Sequence, residues 1–303
     1  MLTQEIDDLE KPIPVREQLI SIIIPAFNEE QAIGDDLNKI LDCMDASGYE
    51  YEVIVVDDGS TDKTADIVRR YPRVRLIQHP TNRGTGAATN TAVRHARGDI
   101  IAMTDGDGTY PVQEIPALLQ YMDQYDMVIG ARTKEAGTMK VLRTPAKWFI
   151  RTLASYLTET PIPDLNSGLR VFKKTLAVKF MHLLPHGHSW VSTITLAHLA
   201  DDYLVKFVPI DYYPRKGRST FDPVRDTYNY LLLVIRTVMY FNPIKVLLPV
   251  GIVLLFAGVI RQLVQFYTVN MHVQSSNVLL VLSGLNLLMM ALLADLVVRR
   301  ARQ

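Results

Sequence analysis

The sequence predicts an α/β protein with a doubly wound, largely parallel sheet, followed by a C-terminal pair of transmembrane helices. Three observations carry that expectation. From residue 19 onward, short β-branched runs alternate with segments of helical periodicity. Clusters of Asp, Glu, Asn and Gly follow directly on the ends of those runs. Beyond about residue 240 the chain becomes almost wholly apolar.

Residues 1–18 are acidic and polar, with no basic or apolar stretch of a secretory signal, and read as a loose tail. "LISIIIPAFN" (19–28) is a buried strand halted by a proline, and 29–47 follows with helical period. "YEVIVVDD" (51–58) is a second strand, and "GSTDKTADIVRRY" opens with turn and cap residues before a helix. Residues 74–80 form a third strand, 84–96 a small-residue helix, and 99–105 a fourth strand. A helix over 112–125 and a fifth strand over 127–132 complete the pattern. Strands and helices alternating at this spacing place the ligand at the carboxyl ends of a parallel sheet.

Residues 19–222 therefore make an α/β domain, 223–243 a juxtamembrane amphipathic helix, and 244–303 two transmembrane helices. The apolar run at 278–298 is long enough by itself to cross a bilayer, which takes ~20 residues. The run at 246–260 reaches that length if it continues to residue 267. Lys245 before the hairpin and Arg299, Arg300 and Arg302 after it place both ends on the cytoplasmic side, with the link near 268–277 across the membrane. Arg143, Lys147 and Arg151 make a basic stripe on a further segment suited to a headgroup layer, or to an ordinary solvated face.

The chain has 303 residues, and its 32 basic and 32 acidic side chains cancel, which argues against nucleic acid as a partner. Cys43 is the single cysteine, so no internal disulfide can form, and a reducing compartment fits.

The chemistry lies in the polar clusters at the strand ends. Asp105 and Asp107 flank Gly106 on a turn, an arrangement that suits Mg²⁺ or Mn²⁺ held together with substrate phosphates. Asp57 and Asp58 end the second strand, so four carboxylates converge and must be relieved by a cation or by hydrogen-bond donors. Gly84 and Gly86 at a helix start, with Arg83 beside them, suit an anion. A nicotinamide-binding fold would carry its glycine loop after the first strand, where this chain has "PAFNEE".

"PAFNEE", "VVDDGSTDKT", "NRGTGAATNTAVRHARGD", "TDGDGTYP", "GAR", "DLNSGLRVFKK" and "YYPRKGRST" resemble, in order and spacing, the family 2 glycosyltransferases. More narrowly they resemble polyprenyl-phosphate glycosyltransferases of the dolichyl-phosphate mannosyltransferase type. The resemblance covers about residues 19–220 and implies a GT-A fold, a UDP- or GDP-linked sugar donor, a divalent metal and inversion at the anomeric carbon. It implies a donor pocket of Pro25, Phe27, Glu29, Asp57 or Asp58, Arg83, Gly84, Asp105 and Gly106, where many relatives carry alanine at the position of Gly106. Asp105 and Asp107 would bind the metal and, with Arg132, form the catalytic set. Arg132, Ser167, Arg215, Lys216, Arg218 and Ser219 would meet the acceptor phosphate at the membrane, with Asp164 and Asn166 near that side.

No dedicated general base stands out beyond these acids. A phosphate monoester with a second pKa near ~6 is largely dianionic at neutral pH and can attack without one, which favours a polyprenyl phosphate acceptor. His182, His186 and His188 read as a polar loop rather than as metal ligands, and Trp190 as packing rather than a sugar platform. Two other functions compete: a hydroxyl-directed or processive family 2 transferase making polysaccharide or glycolipid, and a catalytically silent membrane scaffold. A membrane hairpin can also support a homo-oligomer.

Overall fold

In a computed structural model the described residues are 14–133, 152–156, 158–187, 189–214, 223–268 and 273–301, with 223–231 and 301 described as backbone only. The strands are β1 (Ile20–Ala26), β2 (Tyr51–Asp57), β3 (Val74–Gln78), β4 (Ile100–Met103), β5 (Met127–Arg132), β6 (Arg170–Lys173) and β7 (Val205–Ile210). The helices are α1 (Ile33–Ser47), α2 (Thr64–Val68), α3 (Thr85–His95), α4 (Ile115–Leu119), α5 (Lys174–Phe180), α6 (Trp190–Ala200), α7 (Pro223–Phe241), α8 (Ile244–Thr268) and α9 (Ser275–Ala301).

The seven strands lie in the order β3-β2-β1-β4-β6-β5-β7, and only β6 runs against the others. All five expected strands are present. Two were not foreseen: β6, four residues with a charge at each end, inserts between β4 and β5, and β7 closes the edge beside β5. The helix expected over 112–125 shrinks to a 3₁₀ turn and the short α4, and the one expected after Asp58 shrinks to α2. The expected basic-stripe segment, with Arg143, Lys147 and Arg151, lies outside the described residues.

β1 is buried throughout and pairs with β2 over its whole length, but with β4 only from Ile20 to Ile23. The last bond of that second ladder is Thr104 N–H to the Ile23 carbonyl. The next residue of β1 facing β4 is Pro25, which has no N–H to donate, so the ladder ends there and the strands part. That parting lies where the winding of the sheet reverses, the place where open α/β sheets bind ligands. At the opposite end, Glu52 accepts from Ser21 Oγ, Arg97 N and Arg97 Nε, and Ser21 Oγ accepts from Gly98 N, which clamps the strand starts.

α7 belongs to the core of the α/β unit. Val234 and Val238 pack with Ala154, Ile162, Leu165, Leu196 and Leu199, while Phe241 packs with Leu176, Phe180 and Ala197. A domain boundary at residue 222 would therefore cut through this packing. α8 and α9 are 25 and 27 residues long, pack on each other, and leave most of their apolar side chains uncovered. Near the turn of this hairpin Asn277 donates to Gln262 and Gln265, which fixes the pairing of the two helices.

Two predictions follow from this packing. A chain ending at residue 242 should fold, whereas one ending at residue 221 should melt lower or aggregate. The shorter chain exposes the partners of three buried apolar side chains, each worth ~1.5–3 kcal/mol. Equal melting temperatures for the two truncations would refute the shared core. The second concerns His198, which lies between Phe180 and Tyr203, donates from Nδ1 to the Ile194 carbonyl and has no partner at Nε2 among the described residues. Burial pushes it down from 6.5 to about 4. The unfolded chain takes up this proton near 6.5 and the folded one does not until about 4, so stability falls as pH drops through that window. His198→Leu should reduce the loss between pH 7.5 and 5 by on the order of 2 kcal/mol, measured by denaturant titration at both pH values.

Candidate active site

Four turns rim the crevice opened at Pro25. After β1, Asn28 adopts a left-handed φ of 55°. Its N–H donates to Ser60 Oγ at 2.9 Å and its Oδ1 accepts from Thr61 N at 2.8 Å, which ties this turn to the one after β2. Glu29 is buried, with its N–H donated to Thr64 Oγ1. Phe27 is exposed at the rim, whereas Pro25 is buried within β1.

Asp57 and Asp58 are both buried and engaged by the protein itself. Asp57 accepts from Ser60 N at 3.1 Å and from Gln78 Nε2 at 3.0 Å. Asp58 meets His79 Nδ1 at 2.7 Å and accepts from Arg83 N and Gly84 N. Its other neighbours extend the network, because His79 Nε2 lies 2.9 Å from Thr91 Oγ1. The start of α3, read from the sequence as an anion site, is thus used internally. Two of its amides hold the Asp58 carboxylate, and Ala87 N donates to the His186 carbonyl at 3.1 Å. Relief of this half of the acidic cluster comes from side-chain and backbone donors. The Arg83 side chain remains exposed at the rim.

The turn after β4 carries the other half. Asp107 is buried and its Oδ1 accepts from Thr109 N and Thr109 Oγ1 at 3.1 and 2.6 Å. Asp105 is more open and lies against the backbone of Gly168, where any Cβ would overlap its carboxylate. Gly168 N donates to Tyr110 Oη at 2.7 Å, so one tyrosine binds the "DGDGTY" turn to the "DLNSG" turn, 58 residues away in the chain. Burial leads the effects that push the Tyr110 hydroxyl above its ordinary value, which keeps it a neutral acceptor.

Arg132, at the end of β5, makes a two-point pair with Asp164 through Nε at 2.7 Å and Nη2 at 2.9 Å. Its guanidinium also lies 5.1 Å from the Tyr212 ring centroid, and Tyr212 meets Tyr110 edge-on at 5.3 Å. Burial opposes both charges, but the pairing outweighs it: Arg132 is held above its ordinary value and Asp164 below. Nη1 of Arg132 has no hydrogen-bond partner among the described residues. Ser167 is buried, and its carbonyl is held by the guanidinium of Arg170, a fully buried arginine that also reaches Val191 O and Thr195 Oγ1. Tyr213 N donates to Thr109 O, which brings the end of β7 to the same turn. The expected acceptor residues Arg215, Lys216, Arg218 and Ser219 follow directly and lie outside the described residues.

Among the described residues no three His, Cys, Asp or Glu side chains form a cation cage. His182 is satisfied by the Lys179 carbonyl and Tyr240 Oη, as expected of a polar loop, and His188 is outside the described residues. Trp190 is core, donating to Asn90 Oδ1. Asp105 and Asp107 fit a hard divalent ion that takes its remaining oxygens from phosphate and water. A third carboxylate, which sequence reasoning missed, lies behind the same turn. Asp36 of α1 is 1% exposed, accepts from Gly108 N at 2.9 Å through Oδ2, and has no partner at Oδ1 among the described residues. Burial raises it to about 6, Gly108 and Lys39 lower it, and Asp107 raises it. Its signal in the sequence was an acid on the apolar face of a helix, between Ile33 and Leu37.

An open sheet with an acidic glycine turn at its switch point and an arginine–aspartate pair beside it is the layout of a GT-A type nucleotide-sugar domain. The chain belongs to glycosyl transferase family 2, whose description its residues 21–179 match, and residues 242–299 match the GtrB C-terminal hairpin. It is 32% identical over 212 residues to a dolichyl-phosphate hexose transferase of Haloferax volcanii, covering 67% of this chain and 87% of that one. It is 31% identical over 191 residues to a dolichyl-phosphate beta-glucosyltransferase of Trichomonas vaginalis, covering 57% of this chain and 56% of that one. With an undecaprenyl-phosphate 4-deoxy-4-formamido-L-arabinose transferase of Edwardsiella ictaluri it shares 30% over 171 residues, 54% of this chain and 52% of the other. The chain thus spans just over half the length of several curated relatives that it matches. Glucosyl-3-phosphoglycerate synthase from Mycobacterium tuberculosis, solved with Mn²⁺ and UDP-glucose, shares the fold with a TM-score of 0.57 at 20% identity, covering 74% of this chain and 78% of that one.

The contact between Gly168 and Asp105 yields a prediction. Gly168→Ala must displace the Asp105 carboxylate or strain the turn, at ~1–3 kcal/mol. It should weaken nucleotide-sugar binding with a divalent ion, by about tenfold, as measured by calorimetry. Affinity equal to that of the parent would show that Asp105 is not the group the turn presents.

Proposed function

We propose that the protein transfers a sugar from a nucleoside diphosphate to a polyprenyl phosphate, with inversion, at the cytoplasmic face of a membrane. The observation that carries this reading is the junction made by Tyr110 and Gly168. It sets the Asp105–Asp107 turn beside the Arg132–Asp164 pair, which supports a reading in which the donor's diphosphate and the acceptor's phosphate meet in one crevice. The polyprenyl-phosphate acceptors in the names of the relatives support the same reading, as does a hairpin of two helices each long enough to span a bilayer.

On the donor side, Phe27 offers an exposed ring beside Pro25 at the crevice, with Glu29, Asp57 and Asp58 behind it and Arg83, Gly84 and Gly106 at its edges. Asp57 keeps more hydrogen-bonding capacity for the nucleoside than Asp58, whose oxygens already meet His79 and two backbone amides. Asp105 and Asp107 would hold Mg²⁺ or Mn²⁺, which when bound supplies positive charge to the departing diphosphate. On the acceptor side, Asp164 orients the guanidinium of Arg132 and leaves Nη1 for a phosphate oxygen, while Arg215, Lys216, Arg218 and Ser219 follow from β7, and Ser167 lies next to Gly168. A phosphate oxygen of the lipid attacks the anomeric carbon, and the bond from that carbon to the nucleoside diphosphate breaks. The attacking group is already an anion, so the residues of the chain orient it and no side chain removes a proton.

Lys245 at the start of α8 and Arg299 and Arg300 at the end of α9 support a cytoplasmic position for both ends of the hairpin. Membranes containing the protein, given labelled nucleotide sugars, polyprenyl phosphate and Mg²⁺ or Mn²⁺, should yield an organic-extractable sugar lipid. EDTA should abolish the product, and Asp107→Asn should lose at least ~100-fold in rate while remaining folded. Labelled polymer in place of sugar lipid would point to a hydroxyl-directed transferase, and turnover unchanged in EDTA would remove the metal from the reading.

A further inference from the structure

Asp36 stands one helical turn after Ile33, whose Cδ1 lies 2.7 Å from where a Cβ on Gly106 would be. α1 therefore packs directly beneath the "DGDG" turn, and the absence of a side chain at Gly106 lets it approach. Asp36 is the acidic group on that contact face. Its Oδ2 accepts from the N–H of Gly108, a residue with φ of +75° that an L side chain rarely adopts. The bond therefore pins the residue immediately after Asp107 in the conformation the turn requires. Oδ1 is buried and has no hydrogen-bond partner among the described residues.

A buried carboxylate oxygen without a partner costs stability, and a neutral or apolar residue would fill the same place more cheaply. A merely structural anchor for Gly108 needs one acceptor oxygen, which asparagine would supply without the charge. The charge is partly met by Lys39, but the second oxygen finds no hydrogen-bond donor among the described residues, and Asp107 lies close enough to raise the cost of the Asp36 charge. A divalent ion on Asp107 would turn that repulsion into attraction.

We propose that Asp36 is a positioning residue of the cation site, fixing Gly108 so that Asp107 faces the crevice and backing Asp107 with a buried charge that tightens its hold on a divalent ion. This rests on the reading that Asp105 and Asp107 hold such an ion. Outer-shell groups of this kind typically change metal affinity by ~10–100-fold.

The test uses the full chain in detergent and Mn²⁺ as the probe, alone and with uridine diphosphate. Bound and free Mn²⁺ are separated by electron paramagnetic resonance, with a thermal melt on each sample. Asp36→Asn keeps an acceptor for Gly108 and removes the charge. It should raise the melting temperature and weaken Mn²⁺ binding by on the order of tenfold, two changes in opposite directions that a purely structural role would not produce. Asp36→Leu, which also loses the bond to Gly108, should weaken binding further, and if it does not fold the asparagine variant decides alone. Asp107→Asn serves as the control for the site itself. If Asp107→Asn abolishes Mn²⁺ binding while Asp36→Asn binds like the parent, the role of Asp36 is overturned. If Asp107→Asn also binds like the parent, the cation site lies elsewhere, and this assignment falls with it.

Discussion

Beyond Ile23 and Met103 the two central strands share no ladder, because the next β4-facing residue of β1 is Pro25 and has no N–H to give. The other edge of β1 is unaffected, and its pairing with β2 runs on to Ala26 and Asp57. One missing donor thus splits the sheet on one side only, at the point where its winding reverses. The turns after β1, β2 and β4 then fall around a single opening, and each is free to carry polar residues because none has to continue a ladder.

An opening built this way gathers carboxylates, and the protein treats them in two ways. Asp57 and Asp58 are neutralised from within: a glutamine, a histidine and three backbone amides occupy their oxygens, and in return they fix the loops after β2 and β3. Asp105, Asp107 and Asp36 cluster instead at the turn after β4 and the helix beneath it. The turn that carries the first two is bound to its neighbour through Tyr110 and Gly168, and to the helix beneath it through Gly108 and Asp36. The hydrogen-bonded loops after β2 and β3 frame this turn.

The membrane-directed part is joined to this opening by packing. Ile162 and Leu165 flank Asp164, the partner of Arg132, and both pack against Val234 and Val238 of α7. Lys245, at the start of α8, pairs with Glu159 a few residues upstream of the same loop at 2.7 Å. The arginine at the crevice and the helix leading to the hairpin are therefore separated by one layer of side chains. Where the hairpin sits in a bilayer also sets where Arg132 sits.

Much of this was legible in the sequence. Apolar β-branched runs, period-3.6 segments and long apolar stretches located five strands, the main helices and the hairpin, because those elements repeat one choice of side chain over many residues. The motifs located Asp105, Asp107, Arg132 and Asp164 because the turns that bear them are local. What the sequence did not reveal depends on pairs of distant residues. β6 is four residues long and acquires its strand character only from two neighbours. The glycine-rich start of α3 looked like an anion site, and only the placement of β2 beside it showed that the anion is Asp58. α7 read as a juxtamembrane amphipathic helix until Val234, Val238 and Phe241 were found in the core, and Asp36 lies in a segment whose periodicity alone marked it as helical. By itself the sequence determined which residues repeat and which turns carry acid, since both are properties of neighbours along the chain. Which donors meet which carboxylates was decided by the tertiary structure, because a hydrogen-bond donor does its work across space.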